Sequence, residues 1–167
     1  GNLLSWAPHA RNYHDLGYSE GSVSALAVDN GVIYAGGAFN TAGGATRHSL
    51  AAFDAAGNLQ PWKPRVQFND RLGSVTSLAV DNGVIYVGGL FTAAGSGTGI
   101  VPRNRLAAFD MDGNLLGWNP GANGLVFDLT VDGGVVYAGG TLTGVGGGTG
   151  IISRSRLAAF GLDGELL

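Results

Sequence analysis

Three sets of residues in this chain have types and spacings that could do chemistry. The densest polar cluster lies near the start, where His9, Arg11, Tyr13, His14 and Asp15 fall close together. Two histidines five positions apart could help hold a metal, but zinc takes at least three protein ligands and no third is assigned by spacing. The cluster therefore stands as a surface loop able to bind a ligand, with no metal site. Arg47, Arg103 and Arg154 each precede by three residues the Leu of a recurring Leu-Ala-Ala-Phe. A ring of guanidinium groups could grip a carboxylate or phosphate bidentately; a recurrent arginine also serves as an ion pair or a packing stem. Asp29, Asp81 and Asp132 recur in step with them and read as turn caps, because an Asp carboxylate bonds nearby backbone amides.

Other constellations are weaker. Asp110-Met111-Asp112-Gly113-Asn114 starts like a calcium loop, but the acidic residue required further on is missing. Gly95-Ser96-Gly97-Thr98-Gly99 and Gly146-Gly147-Gly148-Thr149-Gly150 are not phosphate loops, since neither is followed by a lysine or by a helix start; they read as flexible or tight loops. The twelve carboxylates fall mostly in turns. General acid–base work needs paired groups with shifted pKa values, so no catalytic residue and no cofactor are assigned.

The elements that position these residues are strands. Of the 167 residues, 45% are hydrophobic and only 13% charged. The 31 glycines far exceed the number that average usage of about 7% would give. They sit beside Asn and Asp or in Gly/Thr runs, the mark of tight turns in an all-β chain. A net charge of −3 with nine basic residues leaves no footprint for nucleic acid. Cysteine is absent, and no apolar run reaches the roughly 18 residues of a membrane helix.

Internal repetition decides the architecture. Val23 to Phe39 recurs at Val75 to Phe91 and again at Val126 to Leu142, and each copy is followed by a Leu-Ala-Ala-Phe segment. Tyr34, Tyr86 and Tyr137 lie 52 and 51 residues apart, and Trp6, Trp62 and Trp118 are 56 apart. A period near 50 built of strands points to β-propeller blades of four strands each. The predicted strands are Val23–Val28, Val32–Ala38, His48–Asp54 and a fourth near Asn58–Trp62, with Asn30-Gly31 as a two-residue type I′ hairpin. Blades fall at 23–64, 75–120 and 126–167, the last lacking most of its outer strand. Residues 1–8 supply an outer strand without its blade, because Gly1–Trp6 matches Gly57–Trp62. The tryptophans read as packing between blades.

Three blades are too few to close a ring, and an open arc exposes strand edges. Two chains, head to tail about a two-fold axis, would make six blades. The rival expectation is an excised or engineered piece of a longer propeller. The connections between second and third strands, and those between blades, vary in length and should emerge on one face, the candidate binding surface. There the His9–His14 stretch and Gln67–Arg71 are the places to look.

At these residues the chain resembles a known style of repeat. Val84 to Gly95 followed by Arg103 to Pro120 is similar to bacterial propeller repeats of the delta-sixty type found in extracellular proteins. Ala52, Asp54, Gly57 and Trp62, repeated as Ala108, Asp110, Gly113 and Trp118, resemble the tryptophan-docking pattern of quinoprotein propellers with one extra residue before the Trp. The third repeat departs from it at Gly161. The resemblance implies a propeller, an extracellular or envelope setting in a bacterium, and blades that serve enzymes, lectins and scaffolds alike. The expected function is a non-enzymatic propeller scaffold that homodimerises and presents a loop face to a small-molecule or protein ligand. The alternative is part of a quinoprotein-like or carbohydrate-active enzyme.

Overall fold

The computed structural model describes residues 6–14, 17–97, 99–146 and 150–167, with the backbone alone for 13–14 and 17–19. Within these residues the protein is all-β. Three antiparallel core sheets follow one plan. Ser22–Asp29 pairs with Val32–Ala38, which pairs with Leu50–Asp54. Ser74–Asp81, Val84–Leu90 and Leu106–Phe109 form the second sheet. Val126–Asp132, Val135–Gly140 and Leu157–Gly161 form the third.

Turn chemistry sets the first hairpin of each sheet. Asn30 and Gly31 have φ of 48° and 78°, Asn82 and Gly83 49° and 76°, Gly133 and Gly134 57° and 81°. Two consecutive positive φ values define the type I′ turn, whose twist matches that of the strands it joins. The third strand starts two residues later than expected, at Leu50, because Ser49 has φ 68°; Arg105 and Arg156 at the same station have 63° and 70°. That left-handed residue breaks the extended run before each Leu-Ala-Ala-Phe.

The four-stranded unit needs correction. Each core sheet has three strands, and the expected fourth is reduced to one bridge: Phe53 to Leu59, Phe109 to Leu115, Phe160 to Leu166. Beyond Gln60, whose N–H still reaches the Ala52 carbonyl at 2.8 Å, the chain meets Pro61. Proline has no N–H to donate to a ladder, and the following Trp62 turns to the next sheet instead.

The connections are more ordered than expected. Ala10–His14 and Gly17–Glu20 form a hairpin that pairs through Ala10 and Arg11 with Thr41–Ala42. Pro64–Phe68 pairs with Ala93–Ser96, which pairs with Gly99–Pro102. Gly144–Val145 pairs with Ile152–Ser153, and Ala122 bridges to Val145. Each inter-sheet connection thus joins the second-to-third-strand connection of the sheet that follows it, making a second tier of small sheets. Gly95 and Ser96 pair with Ile100 and Gly99 in a hairpin, the tight form of the loop expected there; Thr98 and Gly147–Thr149 lie outside the described residues, as do Gly1–Ser5 of the expected N-terminal strand. Residues 6–9 carry no strand.

Sheets are held to one another by aromatic stapling. Trp62 packs edge-on against Tyr34 of the first sheet, 5.0 Å between centroids, and against Phe109 of the second at 6.3 Å. Its indole N–H donates to the Asp110 carbonyl at 3.0 Å. Trp118 repeats this with Tyr86, Phe160 and the Gly161 carbonyl. The first strands meet beside them. A methyl placed on Gly88 would lie 2.8 Å from Val126 Cγ1, so the glycine makes room for the next sheet. Leu129 N–H donates to Ser77 Oγ at 2.8 Å across the same junction.

The turn after each third strand is organised by one carboxylate. Asp54 Oδ1 accepts the N–H groups of Ala56 and Asn58, and Oδ2 accepts the Asn58 side chain. Asp110 does the same with Asp112 and Asn114. In the third sheet Gly161 stands in place of the aspartate, and Asp163 swings back so that its Oδ1 accepts Glu165 N–H at 3.0 Å. A Cβ on Gly161 would come within 2.6 Å of that oxygen. Hydrogen bonds from the Asn58 side chain and backbone hold Asp54 below the ordinary carboxylate range. Partial burial pushes Asp110 up, but the donors on Asn114, Asp112 and Gly113 together outweigh it and leave it lowered.

Two outcomes follow. Trp62→Ala removes an almost wholly buried indole and should cost about 3–5 kcal/mol in denaturant unfolding, whereas Trp6→Ala, 37% exposed, should cost far less. A carboxylate with a depressed folded pKa stabilises the fold above its unfolded value, about 3.9, and loses that contribution as pH falls through the folded value. The denaturation midpoint of the wild type should therefore drop on acidification in that range, and an Asp54→Ala, Asp110→Ala double variant should show a smaller drop.

Candidate functional site

The recurrent arginines lie where the second-tier sheets meet the bridged fourth segments. Arg47 Nη1 donates to its neighbour's carbonyl on Thr46 at 2.9 Å, and Nη2 to Gln60 at 2.8 Å. Arg103 reaches Pro102 at 2.9 Å and Leu116 at 3.2 Å. Arg154 reaches Ser153 at 3.0 Å and Leu167 at 3.4 Å. Each guanidinium ties the end of a third-strand connection to the last segment of its own unit. Arg47 is buried, and burial lowers its pKa, as it does that of Arg103. The Nε atoms of Arg47 and Arg103 are buried without a hydrogen-bond partner. These arginines spend their forks on backbone carbonyls, and a ligand would have to displace them.

The hairpin aspartates have side-chain partners. Asn30 Nδ2 donates to Asp29 Oδ2 at 3.1 Å and Asn82 Nδ2 to Asp81 Oδ2 at 3.0 Å. Tyr34 and Tyr86 have raised pKa values, chiefly through burial and then through the charge of Asp29 and Asp81. Asp132, with Gly133 next to it, has no such amide neighbour in sequence. The Asp110 loop uses both its carboxylate oxygens on protein donors. Among the described residues no group of three or more His, Cys, Asp or Glu could hold a metal.

The N-terminal cluster lies on a hairpin. Arg11 pairs with Glu20, and Tyr13 with Tyr18, across its two strands. His9 carbonyl accepts Gly43 N–H at 2.9 Å, and Arg11 carbonyl accepts Asn40 N–H at 3.0 Å, which fixes the hairpin to the Thr41–Ala42 strand. Arg11 is exposed. Asp15 and the side chains of Tyr13 and His14 lie outside the described residues. Of the Gln67–Arg71 stretch, Gln67 and Phe68 pair with Leu72 and Arg71 around a turn in which Asn69 and Asp70 have φ of 47° and 62°.

One group was not singled out by repetition. His48 bridges in parallel to Arg65, and its pKa is lowered by burial, then by the charges of Arg65 and Lys63. This gathers three basic side chains where the first and second sheets meet. The equivalent stations of the next junction are Asn104, Gly121 and Asn119, so the cluster has no period. Arg65 Nε is also buried without a hydrogen-bond partner. A cavity of about 410 Å³ opens at the third sheet beside Asn119, Phe160, Asp163 and Glu165. A second cavity, about 240 Å³, is apolar and lies on the outer side of the first sheet beside Trp6 and Phe39.

No protein-family profile and no curated protein matches this sequence. Solved structures do resemble it in fold. The computationally designed Ika4 protein superposes with a TM-score of 0.52 at 16% identity, covering 89% of this chain and 72% of Ika4. The computationally designed Ika8 protein gives a TM-score of 0.51 at 16% identity over 87% of this chain, which spans 35% of Ika8. At that identity the likeness concerns the fold alone, a repetitive β architecture.

Proposed function

We propose that the chain is a non-enzymatic β-propeller scaffold, three blades of a six-bladed ring completed by a second chain, which presents its second-tier sheets to a ligand. Each core sheet with its bridged fourth segment is one blade. The observation that carries this reading is an unequal burial of equal residues. Val75 and Leu78 of the second sheet, and Val126 and Leu129 of the third, are buried against the preceding sheet. Their counterparts Val23 and Leu26 are exposed. Burying a side chain of this size is worth about 1.5–3 kcal/mol, so the bare face favours a partner.

The binding half of the reading rests on the second tier. Its hairpins are anchored by strand pairing between connections that differ in length from unit to unit, a rigid base that carries variable surface. Arg11 on its exposed strand, and Lys63 and Arg65 beside His48, supply positive charge suited to an acidic ligand, with His48 itself held toward its neutral form. The turn carboxylates of Asp54 and Asp110, bound to protein donors on both oxygens, are poorly placed for acid–base work.

Light scattering at several concentrations tests the assembly. A mass twice the chain's 16.9 kDa is expected; a folded monomer at every concentration overturns the ring.

A further inference from the structure

At each internal junction one leucine is enclosed by the following sheet. Leu50 belongs to a single buried cluster with Val66, Val75, Leu78, Phe91 and Ala94. Leu106 belongs to a second with Ala122, Val126, Leu129, Leu142 and Val145. Strand pairing fixes the matching stations in the first unit: Ala10 pairs with Ala42 as Val66 pairs with Ala94 and Ala122 bridges to Val145. Those stations, Ala10, Val23, Leu26, Phe39 and Ala42, line the apolar cavity of about 240 Å³. It has the lining that encloses Leu50 and Leu106, and it stands open. At the far end of the chain the third leucine of the series, Leu157, is 63% exposed.

Two further features split the same way between the ends. Gly36 and Gly88 lie against Val75 and Val126, close enough that a Cβ would meet their methyl groups, while a Cβ on Gly139 would find only the Arg156 carbonyl, 4.0 Å away. Tyr34 and Tyr86 each carry a tryptophan edge-on, while Tyr137 is 38% exposed. Trp6 rests on Phe53 as Trp62 rests on Phe109, and among the described residues no tyrosine ring meets it. Phe127, in the place of Thr76, adds an exposed ring to the Leu157 end.

We infer that the occupant of this cavity is Leu157 of a second copy of the chain, docked head to tail. The partner's Leu157 fills the socket, Val23 and Leu26 lie on the partner's Gly139, and Trp6 closes against the partner's Tyr137. The interface is the internal junction built again between chains: each contact joins unlike faces, and the two-fold axis makes two such contacts that together close the ring. This rests on the ring proposed above and adds its register.

The chain has no cysteine, which makes the register testable. A Cβ on Gly36 would lie 3.0 Å from Val75 Cβ, and disulfides bring Cβ atoms to about 3.5–4.5 Å, so a Val23→Cys, Gly139→Cys variant should need only a small shift to bridge two chains. Mild oxidation should give a covalent dimer on a non-reducing gel, with neither single variant cross-linking. Leu157→Lys, at an exposed site, should halve the solution mass while leaving circular dichroism and the melting curve of a folded chain. A monomeric wild type, including one whose socket takes a small apolar molecule instead, overturns the ring and the register together. A dimeric wild type in which Leu157→Lys stays dimeric and the double variant fails to cross-link overturns the register and leaves the ring standing. Single variants that cross-link as readily as the double overturn the head-to-tail contact, and a ladder of higher multiples overturns closure by two copies.

Discussion

A three-stranded sheet that is apolar on both faces cannot cover itself, and the rest of this molecule depends on that constraint. Sheets bury such faces only against another layer. Here the layer is the neighbouring sheet, met through small residues at Gly36 and Gly88 and through an indole shared between sheets. Trp62 belongs by sequence to the first unit, yet its N–H bond goes to the second. In the first unit the ladder ends at Pro61, which has no N–H to extend it, and Trp62 then spans Tyr34 of its own sheet and Phe109 of the next.

The same demand shapes the polar residues. Arg47 and Arg103 could have been anion grips, but the fourth segment, released from the ladder after one bridge, leaves carbonyls that need donors, and the guanidinium groups supply them. The turn aspartates saturate backbone amides in the same way. Polar groups that repeat with the fold are consumed in maintaining it. Those free to differ, such as His48 and Arg65, sit where no repeat equivalent constrains them.

Much of the fold was legible because local chemistry dictated it. Val32–Ala38 forms over the range expected, since Asn-Gly admits positive φ at both turn positions and the strand-favouring Val32, Ile33 and Tyr34 follow. The start of the third strand was misplaced because nothing in the types of Ser49, Arg105 and Arg156 announces a left-handed backbone. The second tier was hidden more deeply. Its pairings join connections distant in sequence and unequal in length, so neither period nor propensity marks them. The third turn was half legible: the loss of aspartate at Gly161 was visible, but the return of Asp163 to the same oxygen position depends on a glycine leaving the space empty. Of the candidate site, the positions of the arginines were readable and their partners were not.

One irregularity recurs at the same point in all three sheets. The ladder slips by a residue between Val23 and Ala25, between Val75 and Ser77, and between Val126 and Asp128. A bulge bends its strand and adds right-handed twist, and here it falls in the strand that touches the next sheet. In the second sheet the extra residue is Thr76, whose hydroxyl donates to the Val126 carbonyl of the next sheet. The residue that breaks the ladder is thus also a link to the neighbouring sheet, so a deletion that straightened the strand would remove that link as well.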